Sequence, residues 1–291
     1  MPLFVIVVMN LIACPSPPST DGEPLMSLPP DVPFFPNLDV PYVPTPDRVI
    51  DTMLELTQPR PGEHIVDLGC GDGRIVLTAL RRVPGLTGFG VDLDPARISQ
   101  ANAAAASQGL TDRVAFLEQN LFDTDISKAD VVTLYLLPEV NEKLRPVIFD
   151  TLRAGTRIAS HDFDMNDWPP ETLVGFAGRR VYFWVVPAAM GGRWTFESEH
   201  PAIDGLTFEL AQGFQFIVGP TTPYAAFLRG RIDGFELRAQ VQPEIGVAVD
   251  LNARLVAVDR LEGLVDLVPF SARRDSMEPI HIQRLDRDFQ H

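Results

Sequence analysis

A doubly wound α/β sheet followed by a smaller all-β unit is the fold this sequence predicts. Three observations carry it. Between residues 46 and 163, short apolar runs alternate with stretches of helical period, the pattern of a mostly parallel sheet with helices on both faces. One apolar run ends in a glycine-rich loop, "VDLGCGDGRIVL" (66–77), which leads into a helix. After residue 205 only strand-like runs remain. Short connections and right-handed crossovers make the first part Rossmann-like, with ligand sites at the C-terminal ends of its strands.

The elements follow in order. "PDRVIDTMLELT" (46–57) spaces Val49, Ile50, Met53 and Leu54 as a helix; Thr45 or Asp47 suits its cap and Pro46 its first turn. "HIVDLG" (64–69) is a buried strand and "RIVLTALRRV" (74–83) a helix. "GFGVDLD" (88–94) is a second strand, followed by a helix that Asp94 caps ahead of Pro95 and Gly109 stops. "RVAFLEQN" (113–120) and "ADVVTLYLL" (129–137) are the third and fourth strands. "PEVNEKLRPVIFDTL" (138–152) is helical, with Pro146 predicting a kink or a break. "TRIASHDF" (156–163) is the fifth strand. "RRVYFWVVPA" (179–188) and "GRWTFES" (192–198) read as a closing antiparallel hairpin joined through "AMGG". Beyond it, "AFLRGRIDGFEL" and "ARLVAVDRLEGL" echo each other, and a small antiparallel meander or partial barrel is expected. The chain therefore divides into a candidate signal segment (1–14), a Pro-rich linker (15–38), the α/β domain (39–198), a small antiparallel β domain (199–272) and a polar tail (273–291).

Composition narrows the partners. The 291 residues carry a net charge of −15 and a pI near 4.7. That balance opposes a nucleic-acid groove, which needs clustered Lys and Arg, and suits a cationic ligand or a basic peptide. Cys14 and Cys70 are read as unpaired, since a bridge would pin the glycine loop, and no His or Cys spacing predicts a metal. "MPLFVIVVMNLIAC" has the shape of a lipobox ending at Cys14. It is shorter than the ~20 residues of a membrane span and lacks the basic start of a secretory signal, the first basic residue being Arg48. Lipid on Cys14 would make the protein membrane-anchored; a start at Met26 would leave it cytoplasmic.

The glycine loop carries the chemistry. Gly69, Gly71 and Gly73 give a backbone that a ligand can approach without a Cβ in the way. A dinucleotide fingerprint would read GxGxxG, but Arg74 stands where its third glycine belongs. Asp67 would repel a pyrophosphate and hold an ammonium group. Asp92, at the end of the second strand, suits two ribose hydroxyls. Asp67, Gly69, Gly71 and Gly73 resemble motif I of the class I S-adenosylmethionine-dependent methyltransferases. That resemblance implies S-adenosylmethionine as cofactor, its amino-acid part on the glycine loop and its ammonium group near Asp67. It also implies an adenine contact at Asn120, where the family usually has Asp; the amide can accept the same hydrogen bond.

"PYVPTP" (41–46), "DLGCGDGRIV", "VVTLYLLPEVNEKLRP" and "GTRIASHDFDMNDWPP" together resemble bacterial relatives of the ATP-synthase c-subunit lysine methyltransferase family. The resemblance covers 39–198 and implies that Tyr42 and Thr45 close over the cofactor. It implies methylation of a protein lysine. A lysine amine must be neutral to react, at a cost of roughly 4.6 kcal/mol at pH 7 from its reference pKa, and a nearby proton acceptor lowers that cost. Tyr135 and Asp162, at the ends of the fourth and fifth strands, are the catalytic candidates. For each, packing or loop capping is the competing reading. His161 reads as a satisfied buried imidazole, pointing away from Asp162 by strand alternation. Asn141 is expected on the helix surface, Trp168 as a core plug and Cys70 as a small buried filler. Two other functions stay open: transfer to a small molecule, or a tethered binding lipoprotein with a degenerate methyltransferase fold.

Overall fold

The computed structural model describes residues 42–222 and 225–276. The signal segment with Cys14, the linker 15–38 and the tail beyond residue 276 lie outside the described residues. Seven strands form one sheet: β1 (His64–Leu68), β2 (Thr87–Asp92), β3 (Val114–Glu118), β4 (Val131–Leu134), β5 (Arg157–His161), β6 (Thr172–Phe176) and β7 (Arg179–Val185). Their order is β3-β2-β1-β4-β5-β7-β6. The first five run parallel and β7 is antiparallel to both its neighbours. Helices α1 (Asp47–Thr57), α2 (Arg74–Arg82) and α3 (Pro95–Ser107) cover one face, and α4 (Pro138–Thr151) covers the other.

Period-two burial sorts the strand residues between those layers. Ile65 and Val131 pack under the first three helices, while Val66, Leu68, Val132 and Leu134 pack against the α4 side. Asp94 caps α3 as expected, accepting from the Ala96 N–H at 2.8 Å. Pro46 holds the N-cap of α1 without a side-chain cap bond, so neither Thr45 nor Asp47 serves there. Helix α4 is one uninterrupted element despite Pro146. The carbonyl that loses its donor belongs to Glu142, and both residues are exposed, on the helix face where a missing backbone bond costs least.

The closing hairpin is a correction. It is β6–β7, turned at Ala177 and Gly178, both at positive φ. Residues 192–198 are not its second strand. They form β8 (Gly192–Ser198), which pairs with β9 (Thr207–Gly213) and β15 (Val268–Ser276). With β10 (Phe216–Pro220), β11 (Ala226–Asp233), β12 (Glu236–Pro243), β13 (Val249–Ala257) and β14 (Arg260–Val265), these make a closed barrel. The two echoing stretches are its successive hairpins β11–β12 and β13–β14. Trp194, Phe196, Phe208 and Leu228 fill the interior.

Barrel and sheet meet over an aromatic seam. Trp168 is fully buried, tilted against Phe149 (4.5 Å) and Trp184 (5.8 Å) and stacked on Phe214 (6.2 Å). Its indole N–H donates to Gln215 Oε1 at 3.1 Å, and Gln215 donates to the Pro169 carbonyl at 2.8 Å. Trp168 is thus the expected core plug, and it seals the junction.

Candidate active site

A cleft opens at the C-terminal ends of β1, β2, β3 and β4. Tyr42, Thr45, Asp67, Gly69, Gly71, Asp92, Asn120 and Tyr135 all line it. Strand alternation aims Asp67 inward, where it is 1% exposed. Its Oδ1 accepts from the Thr133 hydroxyl at 2.7 Å, while its Oδ2 is buried without a partner. Burial lifts its pKa to about 7 against the pull of that hydrogen bond. The Asp92 carboxylate ties the glycine loop to the end of β2, accepting from Gly71 N at 2.8 Å and Asp94 N at 2.9 Å. An ionised carboxylate offers about four lone-pair sites, so both oxygens can still accept from a ligand. Asn120 Oδ1 accepts from Phe122 N at 3.0 Å, closing the single turn 121–123.

The segment before α1 lies across this cleft. The Tyr42 ring rests where a Cβ on Gly71 would stand, with the Arg97 guanidinium 3.9 Å from the ring centre and a side-chain hydrogen bond to Asp72. Burial, then the Asp72 charge, raises the Tyr42 pKa. Thr45 is 4% exposed; its carbonyl accepts from Arg74 Nη1 at 3.3 Å, and its hydroxyl lies 3.4 Å from His161 Nδ1. Gly73 is the glycine that does not reach the cleft. At φ 76° it starts α2, and a Cβ there would stand 2.5 Å from the Phe116 ring, so it serves close helix–strand packing.

Beside the cleft, the Tyr135 ring is tilted against His161 at 3.9 Å between ring centres and stacked with Phe163 at 6.2 Å. Burial and then the Asp162 charge raise the Tyr135 pKa, and burial lowers that of His161. Asp162 does not line the cleft. It sits at φ 61°, which swings its carboxylate back toward β5. There it lies 3.3 Å from His161 Nε2, accepts from Arg179 Nη1 at 2.8 Å and accepts from Arg180 N at 2.8 Å. The alternation expected of 161 and 162 therefore fails at that left-handed turn, and the two side chains meet. Asn141 is also corrected: it is fully buried and donates to the Asp164 carbonyl at 3.0 Å, fixing the loop after β5. Cys70 is the buried filler expected, packed where Gly90 has no side chain.

The model for the ANTKMT methyltransferase domain matches residues 67–172. A protein-lysine N-methyltransferase of Saccharolobus islandicus is 40% identical over 151 residues, which is 50% of this chain and 94% of that protein. The chain belongs to this protein-lysine methyltransferase family. The adenine nucleotide translocase lysine N-methyltransferase of Mus musculus is 33% identical over 51% of this chain and 64% of its own length, so the chain spans a little under two thirds of that relative. A solved structure described as an RNA methyltransferase from Salinibacter ruber, in complex with S-adenosyl-L-homocysteine, is 47% identical. It covers 51% of this chain and 96% of its own, with a TM-score of 0.50.

The cofactor of this methyltransferase is S-adenosylmethionine. The cleft fits it on two independent grounds. Asp67 Oδ2 is a buried acceptor without a donor, the partner an ammonium group requires. At Gly69 and Gly71 the loop lines the cleft with backbone alone, and the space a Cβ on Gly71 would fill is taken by the Tyr42 ring. Gln119, Leu136 and Asp72 also line the cleft and were not singled out in the sequence. Gln119 is adjacent to Asn120 at the same strand end, and that adjacency was the available signal.

Proposed function

We propose that the protein transfers a methyl group to the side-chain amine of a protein lysine. The observation that carries this is the orphaned carboxylate of Asp67 beside the glycine loop, in a chain of a family whose relatives are named for lysine methylation. The cofactor supplies a methyl group already activated by its sulfonium. What remains for the chain is to bind, orient and dry the site, and orientation alone is worth ~7–11 kcal/mol. In this reading Asp67 holds the ammonium group, Asp92 the ribose hydroxyls and Asn120 the adenine edge, with Tyr42 and Thr45 closing the cleft. Tyr135 and Phe163 give the incoming lysine stem an aromatic wall. In this reading His161, kept neutral by burial and in contact with Tyr135, receives the proton, with Asp162 beside it.

An RNA acceptor, suggested by the description of the Salinibacter ruber structure, is disfavoured by the net charge of −15. The test is calorimetric titration with S-adenosylmethionine and S-adenosylhomocysteine, beside Asp92→Ala, followed by methyl transfer to lysine-bearing and arginine-only basic peptides. Micromolar cofactor binding lost in Asp92→Ala, with transfer to the lysine peptides alone, is the expected result. Cofactor binding with transfer to RNA and none to peptides overturns the lysine assignment.

A further inference from the structure

The barrel has two unlike ends. Its turns at Phe214–Gln215 and Gly234 face the sheet, where Gln215 bonds Trp168 and the Gly234 carbonyl accepts from Ala188 N at 2.7 Å. Because neighbouring strands alternate in direction, the loops joining β8 to β9, β12 to β13 and β14 to β15 gather at the opposite rim. Beyond the last β13–β14 pair, Asp266 N donates to the Asp250 carbonyl at 3.0 Å and Asp250 N donates to the side-chain Oδ1 of Asp266 at 3.0 Å, which ties the start of β13 to the β14–β15 turn.

That rim carries three nearly naked aliphatic side chains: Ile245 (91% exposed), Val247 (84%) and Leu267 (86%). Single exposed apolar residues are ordinary, but these three share the tips of two adjacent hairpin connections, β12–β13 and β14–β15. Around it stand the exposed carboxylates Glu197, Glu199, Asp204, Glu244, Asp250 and Asp266, and among the described residues none of them forms an ion pair. The same loops contain no Lys or Arg. The arginines of the barrel, including Arg193, Arg254 and Arg260, lie at mid-strand or toward the other end, where these three pair with Glu209, Glu236 and Glu262. Charge is thus sorted along the barrel axis: the rim pairs unpaired carboxylates with three exposed aliphatic tips and carries no cation, while the exposed Val256 and Val258 at the other end stand near the arginines.

We propose that this rim docks a basic, amphipathic segment of a protein partner, separate from the lysine that is methylated. Charge complementarity selects that occupant. A lipid surface of anionic headgroups would be repelled, and a second copy would bring the same unpaired carboxylates face to face. Apolar tips supply the contact, and the carboxylate ring supplies the preference for cationic flanks.

The test uses the full chain and a labelled peptide of about 18 residues with Leu and Lys at helical spacing, read by fluorescence anisotropy. Controls are oligolysine, the Leu/Glu counterpart of the peptide, and zwitterionic phosphatidylcholine vesicles. The variants are Ile245→Ser/Val247→Ser/Leu267→Ser, and Glu244→Gln/Glu199→Gln. Binding of the Leu/Lys peptide, weakened roughly tenfold or more by the triple variant and several-fold by the double, is expected. Equal binding of oligolysine, no loss in the triple variant, or no peptide binding overturns the proposal. Capture by the vesicles, or self-association lost in the triple variant, also overturns it and assigns the rim to lipid or to a second copy. Cofactor binding, measured separately, reports on the cleft, so failure at the rim and failure of the methyltransferase reading remain distinct.

Discussion

Asp67 shows how a single buried acid ties stability to function. Its pKa in the folded chain is lifted to about 7 from an ordinary value of 3.8. Between those values the folded protein keeps a proton that the unfolded chain releases, so this group's contribution falls as pH rises, and its full cost is present above about pH 7. Asp67→Asn is expected to be more stable than the parent at pH 8, by on the order of a few kcal/mol, with the gap closing toward pH 4; urea unfolding at both pH values measures it. The same substitution lowers cofactor affinity, and it removes the rise in affinity with pH that the parent shows up to about pH 7. A parent with pH-independent affinity would sink this account of the carboxylate. At Gly71, an alanine meets the Tyr42 ring and a φ of 53°. Gly71→Ala should cost about 1–2 kcal/mol in backbone strain and most of the cofactor affinity. The aspartates and two of the glycines of the cleft were legible because each serves a local role at a strand end. The meeting of His161 with Asp162 was not, because it depends on one left-handed residue that strand periodicity does not encode.

Among the elements, β1 to β5 and the four helices were legible from alternation and period alone, since each buries a regular stripe. The closing hairpin was not. The run at 192–198 has the composition of a strand, but composition does not name a partner, and "AMGG" looks like a turn. The true turn at Ala177–Gly178 follows "TLVGF", which is largely exposed and so gives no apolar stripe to read. Asn141 misled for the opposite reason: Glu139, Glu142 and Lys143 around it mark an exposed helix, yet its own position faces the loop after β5. Helix α2 offers a clean test of element packing. Gly73→Ala presses on Phe116 at φ 76°, and should lower the melting temperature while changing cofactor affinity much less than Gly71→Ala does. Equal losses of affinity would return Gly73 to the cleft.

At the scale of the whole molecule, the Trp168–Gln215 contact joins two separately cored units. Gln215→Leu leaves the buried indole N–H and the Pro169 carbonyl without partners, at a cost of about 1–3 kcal/mol for each group. Calorimetry should then resolve two melting transitions where the parent shows one. The net charge of −15 also predicts that kcat/KM for a basic peptide falls as salt rises from 0.05 to 0.5 M, on the order of tenfold, while binding of the zwitterionic product S-adenosylhomocysteine barely changes; parallel salt dependence of both would refute long-range steering. One further consequence lies in the way the barrel closes. Strand β8 is the first of its eight to leave the ribosome, and β15, which completes its pairing, is the last. Throughout translation of the intervening residues β8 has an open edge, ready to pair with any other chain. The α/β half, complete well before, can fold and shield its own core while that edge waits. A message cut short before β15 would therefore yield a competent methyltransferase half attached to an adhesive sheet, a product bound for aggregates despite an intact cleft.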